Sequence, residues 1–391
     1  MSELRKGQVR NLGLATAAFA VTFWAWNLIG PLSGSYSRAL HLSPTQTSLL
    51  VAIPVLVGSL GRIPVGMLAD KLGGRRMFAV ICFVSIVPVL FVGLSGSYGW
   101  LLFWGFLLGI PGTSFAIGIP FVNAWYEPAR RGFATGVFGA GMGGTALSAF
   151  FTPRLVEEFG RFGTHLLMAA VLALTGVIML GGSRDSPKWT PATAPALPRM
   201  REAIKVKATW QCSFLYAVAF GGFVAFSTYL PTLLQNVYHF AQTGAGLRTA
   251  GFSIAAVAAR PLGGTLSDRL GPVKVLVISL AGTVLMAIVL AFKPPAEWPA
   301  GISFVLIAFF LGLGTGAVFA LVAKLVEPAR VGTVTGLVGA AGGLGGYFPP
   351  LVMGAVYSAL GAYTVGYLLL ALTAAAALIY TLRAFRSVGD R

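Results

Sequence analysis

Residues 61–76 read GRIPVGMLADKLGGRR, an arginine inside an apolar run followed by a Gly–Asp–Gly–basic turn. Residues 259–274 read ARPLGGTLSDRLGPVK, which sets Arg260 against Arg62 and Asp268 against Asp70, both at an offset of 198. A second pair, EPARRGFATGVFGAGMGG (127–144) and EPARVGTVTGLVGAAGG (327–343), repeats at an offset of 200. Two matches at nearly one offset describe a tandem parallel duplication. Each copy carries one arginine where a charge is costly.

Outward from that stretch, the composition fixes the environment. Of 391 residues, 56% are hydrophobic and 10% charged, whereas a soluble domain carries about 25% charged residues. The chain is therefore read as an integral membrane protein. No period-2 alternation is present, so the spans are helices rather than barrel strands. The first apolar run is too long for a signal peptide and reads as a permanent span. Cys82 and Cys212 lie far apart in apolar runs, which argues against a structural disulfide or a metal site, and no cofactor is expected.

A span needs about 20 apolar residues. On that rule the sequence predicts twelve, near 12–34, 46–68, 77–96, 100–124, 133–153, 164–182, 209–233, 244–266, 274–292, 300–324, 333–356 and 362–382. The Pro-rich, basic stretch after the sixth reads as a linker. The expected organisation is an N-terminal six-helix lobe (1–182), a cytoplasmic linker (183–208) and a C-terminal six-helix lobe (209–391). With the N-terminus inside, the inner segments hold 21 of the 28 Lys and Arg residues and the outer segments 5; Arg62 and Arg260 are the other two. That bias predicts both termini on the cytoplasmic side. It also accounts for the net charge of +17 without nucleic acid as a partner.

Arg62 lies eight residues before Asp70, about 12 Å of helix rise, and so sits well within a hydrocarbon core about 30 Å thick. Arg260 repeats that depth, which snorkelling to the interface does not explain. All eleven acidic residues fall in termini, loops or span ends. A buried cation without a counter-ion is strongly unfavourable, so the missing negative charge is assigned to the substrate, an anion. Arginine's planar fork suits a planar oxyanion. The glycine runs 136–144 and 336–346 pack helices closely and also leave room for a small ligand.

The turns Gly66-x-x-x-Asp70-x-x-Gly73-x-Arg75-Arg76 and Gly264-x-x-x-Asp268-Arg269-x-Gly271 resemble the signature loop of the major facilitator superfamily. One arginine in each of spans 2 and 8, with GVFGAGMGG and GLVGAAGGLGG in spans 5 and 11 and FWAWNLIGPL in span 1, resembles the nitrate/nitrite porter family within it. The resemblance implies an all-α fold of twelve transmembrane helices in two pseudo-symmetric lobes, and alternating access in the inner membrane. It implies a substrate site of Arg62, Arg260, Phe115, Tyr216, Phe220, Trp26, Met142, Gly143 and Gly343. It implies a conformational set of Gly66, Asp70, Gly73, Arg75, Asp268, Gly139 and Gly339. Met142 departs from the family, whose first glycine motif usually carries asparagine there.

The expected partners are nitrate or nitrite, protons and membrane lipid, with a monomer as the working unit. The short chain and GTALSAFFTPRL (144–155) resemble the family's proton-linked importers. Exchange of nitrate for nitrite is the alternative, since no buried carboxylate is expected and His41, His165 and His239 map near the outer face. Transport of another small anion, such as cyanate or a carboxylate, is a further alternative. No nucleophile–base set, nucleotide loop or metal spacing suggests an enzyme, and no added soluble domain suggests a sensor.

Overall fold

Prolines divide the long apolar runs, and the fold is built on where they do so. The computed structural model describes residues 3–127, 130–192, 196–327 and 330–386. In the first span α1 (Glu3–Trp26) gives way to α2 (Ile29–Leu40). The break follows from Pro31, which has no N–H to offer the Asn27 carbonyl four residues back. The Ser148 hydroxyl donates to that carbonyl instead, at 3.0 Å. Pro64 does the same to the second span, which divides into α3 (Pro44–Leu60) and α4 (Arg62–Leu72) at Gly61. α3 opens with a reciprocal cap: Ser43 Oγ accepts from Gln46 N at 3.2 Å and Gln46 Oε1 from Ser43 N at 2.9 Å, satisfying two otherwise unpaired donors.

The remaining spans of the first half are α5 (Gly74–Leu94), α6 (Tyr98–Leu107) joined by a 3-10 turn to α7 (Ser114–Asn123), α8 (Arg131–Gly139) and α9 (Gly144–Gly182). α9 contains the end of the fifth span and all of the sixth, joined at Gly160, whose φ of 69° suits glycine. After α10 (Ala196–Lys205) come α11 (Lys207–Tyr238), α12 (Gln242–Leu270), α13 (Pro272–Ala291), α14 (Ile302–Leu325), α15 (Val331–Gly345), α16 (Phe348–Leu360) and α17 (Thr364–Ala384). Pro349 and Pro350 cannot bond the carbonyls of Gly345 and Gly346, so the eleventh span breaks into α15 and α16.

Nine stretches among the described residues are long and apolar enough to cross a membrane. One of them, Phe133–Gly182, is two spans in line. α12, diluted by its charged residues, and the broken α15–α16 pair complete the twelve. Linker residues 193–195, the EPAR residues 128–129 and 328–329, and terminal residues 1–2 and 387–391 lie outside the described residues, and Arg391 of the inner-charge count falls among them.

The duplication is visible in the backbone. Gly73 and Gly271, 198 residues apart, have φ values of 86° and 87° and end α4 and α12 alike. His41 and His239, again 198 apart, end α2 and α11 in the left-handed conformation with φ of 50° and 55°. The halves meet through α2 on α11, α3 on α16, α9 on α12 and α4 on α15. Where α2 and the break before it face α11, Ser33 and Thr232 hydroxyls stand 2.6 Å apart and Asn27 Nδ2 reaches the Ser227 carbonyl at 3.5 Å.

Candidate functional site

The two arginines come together. Arg62 is 3% exposed and Arg260 7%, and both guanidiniums stand over the same ring, that of Phe115, at 4.9 and 5.7 Å. Phe115 opens α7 after the 3-10 turn of span 4. Arg62 also lies 5.4 Å from the Phe220 ring. Phe220 stacks parallel on Tyr216 one turn earlier in α11, with centroids 5.0 Å apart. Cation–π contacts in a desolvated site contribute about 2 kcal/mol or more, so this aromatic floor offsets part of the cost of burying two cations.

What the rings leave is directional. Arg62 Nη1 donates to the Gly339 carbonyl at 2.7 Å, while its Nε and Nη2 are buried with no partner. Arg260 Nη1 lies against Met142 Sδ, a weak acceptor. The Tyr216 hydroxyl is buried within the electrostatic reach of both guanidiniums and makes no hydrogen bond of ordinary geometry. Among the described residues the ion pairs are Lys205–Glu202, Arg248–Glu297 and Arg330–Glu327, none involving either arginine. Among the described residues the site therefore holds two positive charges, open donors and no internal anion.

The glycine runs divide into two kinds of position. Gly139 and Gly339 occupy matching places: a Cβ on the first would stand 3.6 Å from Arg260 Nε, and on the second 3.3 Å from Phe115. A Cβ on Gly343 would meet Ser59 Oγ and come within 3.3 Å of Arg62 Nη1. These glycines let α8 and α15 approach the arginines. Gly141, Gly144, Gly342, Gly345 and Gly346 instead press on α1 and α11. Gly136, Gly143 and Gly336 border open space.

The signature loops differ between copies. At Gly73 a side chain would suffer both the positive φ and the Asp185 carboxylate 2.6 Å away. Arg75 holds α5 to the end of α9 by donating from Nε to the Leu180 carbonyl at 2.9 Å and from its amide to Asp185 Oδ1 at 3.1 Å. Asp70 lies beside Arg199 of α10, and its carbonyl accepts from Ala192 N at 3.0 Å. Asp268 is exposed. The first glycine of each loop differs too: a Cβ on Gly66 would make only ordinary contact with Ala116, and one on Gly264 would meet nothing, although the Gly264 backbone itself lies against Gly316 of α14, where a Cβ would stand 2.7 Å from Gly264 N.

The major facilitator superfamily model matches residues 15–247 and 234–390. The chain is 57% identical over 380 residues to the probable nitrate/nitrite transporter NarK2 of Mycobacterium tuberculosis, covering 96% of each. It belongs to the nitrate/nitrite porter family of the major facilitator superfamily. Within that porter family it is 35% identical over 371 residues to the nitrite extrusion protein of Bacillus subtilis, covering 94% of this chain and 92% of that one. A bacterial homologue of the human lysosomal transporter Spinster, in an inward-facing and occupied conformation, superposes with a TM-score of 0.72 at 19% identity over 100% of this chain and 98% of that one. That likeness is one of fold.

In this porter one expected site residue is placed elsewhere. Trp26 donates its indole N–H to the Pro54 carbonyl at 3.1 Å and fills the space over Gly58 and Gly112. Pro54 lies inside α3, and Trp26 packs there rather than flanking the arginines. Conversely, Phe319 of α14 was not singled out by sequence. Its ring lies 5.6 Å from the Arg260 guanidinium and 4.7 Å from the Tyr216 ring. Phe19 and Phe138, stacked 4.6 Å apart, support Phe115 from behind.

Proposed function

We propose that this chain carries nitrate and nitrite across the cytoplasmic membrane by alternating access, and that it is not an enzyme. The observation that carries the reading is the Arg62–Arg260 pair: two buried guanidiniums on one aromatic floor, with open donors and no carboxylate beside them among the described residues. Relatives named as nitrate/nitrite transporters and a nitrite extrusion protein share nearly the whole chain. A bound monoanion offsets the mutual repulsion of the cations and favours the state in which the halves close around it. In this reading the working lobes are residues 1–182 and 209–391, joined by a cytoplasmic linker at 183–208, with both termini in the cytoplasm and one chain as the unit.

The coupling we propose is proton-linked uptake, with the Tyr216 hydroxyl near the arginines, or the buried His165 packed against Gly93, as the group that exchanges a proton. A second reading, obligate exchange of nitrate for nitrite, is favoured by the lack of any carboxylate at the clamp among the described residues. One experiment separates them. Vesicles containing purified protein and no internal anion are placed in acidic medium, and nitrate uptake is followed together with internal pH. Concentrative uptake with internal acidification supports proton linkage. Uptake only when nitrite or nitrate is loaded inside supports exchange, and the absence of both under any loading overturns the anion-transport reading.

A further inference from the structure

Just before the second half begins, α10 presents a face that the other described residues do not cover. At about 100° per residue, Leu197 and Ile204 fall on one line of the helix with Met200 beside them, while the buried Ala203 faces the protein. α10 packs on α11 and α15, yet Leu197 is 57% and Ile204 41% exposed. Arg201 and Lys205 flank that apolar ridge on one side, and Lys207 follows at the start of α11. Glu202, the one acid in this stretch, pairs with Lys205 at 2.9 Å. Arg199 is turned toward Asp70 instead.

A second observation sets the level of this face. The indole N–H of Trp210 donates to the Ile204 carbonyl at 2.8 Å, and Trp210 is 64% exposed in the first turns of a membrane span. Exposed tryptophans at span ends mark the headgroup region. Ile204 is thereby held at the membrane boundary, with an apolar ridge for the acyl chains and bases at the height of the phosphates. We propose that α10 and the start of α11 form a binding site for anionic phospholipid, whose phosphate is held by Arg201 and Lys207 and whose chains cover Leu197 and Ile204. The linker is then fixed to the membrane surface on that side while it joins the two halves.

The test uses the full-length protein in neutral detergent, with retained lipid read by native mass spectrometry during titration with phosphatidylglycerol or phosphatidylcholine. Wild type retains phosphatidylglycerol in preference. Each base near a membrane surface contributes about fivefold to binding of anionic lipid, so R201Q/K207Q loses roughly twenty-five-fold of that preference. L197S/I204S weakens both lipids at this site together. R10Q/R76Q, which removes two exposed bases elsewhere, keeps the preference. All variants alter exposed side chains, and gel filtration checks their folding. Equal retention of the two lipids by wild type overturns the proposal, as does a loss in R10Q/R76Q equal to that in R201Q/K207Q. Displacement of phosphatidylglycerol by an equal concentration of inorganic phosphate overturns the lipid assignment.

Discussion

Replacing Arg62 by lysine keeps the charge and removes the geometry, which makes it the sharpest probe of the clamp. Arg62 uses Nη1 on the Gly339 carbonyl and leaves Nε and Nη2 buried without partners. Those two nitrogens form one edge of the guanidinium, two parallel donors that a trigonal oxyanion can accept side by side. Lysine offers a single nitrogen on a flexible stem, so with the Gly339 bond kept the anion loses at least one charge-assisted hydrogen bond. Such a bond contributes about 1.5–3 kcal/mol, which converts to roughly ten- to hundredfold in affinity. The assay is the initial rate of nitrate uptake into proteoliposomes over a concentration series, with a melting curve of the purified variant as control. The expected result is a KM raised by that factor in a protein that still folds. A KM within threefold of wild type would show that the Nε–Nη2 edge does not hold the anion.

Met142→Asn replaces the thioether against Arg260 with a carbonyl acceptor and an amide donor; folding is kept and the ratio of nitrate to nitrite inhibition constants shifts, an unchanged ratio showing that this position does not touch the anion. Phe319→Leu removes one ring from Arg260 and Tyr216, an effect of about 0.5–2 kcal/mol read as a two- to thirtyfold rise in KM, and a normal KM leaves Phe319 a packing residue. Gly342→Ala drives a Cβ into the Tyr216 ring whereas Gly143→Ala meets nothing; thermal unfolding should show a loss of about 1–3 kcal/mol for the first and none for the second, and equal melting temperatures refute the division of the glycine runs.

The sequence made the clamp legible because a charge inside an apolar run is expensive and therefore visible. Arg62 and Arg260 needed only their depth and their shared offset to be paired. Phe115, Tyr216 and Phe220 came from the family pattern, and the structure brings all three to the arginines. Phe319 was hidden because it is one of four phenylalanines in the 24-residue apolar helix α14, and nothing in their spacing says which of them faces the arginines. Trp26 was misplaced for the converse reason: its motif fits the family, but the hydrogen bond to Pro54 is a tertiary contact between separate spans. The twelve spans were readable from hydropathy, while their internal breaks depended on prolines whose effect appears only when carbonyls such as that of Asn27 find another donor.

The two arginines are cross-held. Arg62, from the first half, rests on Gly339 of the second, and Arg260, from the second, rests on Met142 of the first. A change in one half's glycine helix alters the seat of the other half's cation. Hybrids that join the first half of one family member to the second half of another should work only when the two parents carry the same residues at 142 and 260, and likewise at 62 and 339. The seat of each cation is thus built by both halves together rather than by either lobe alone.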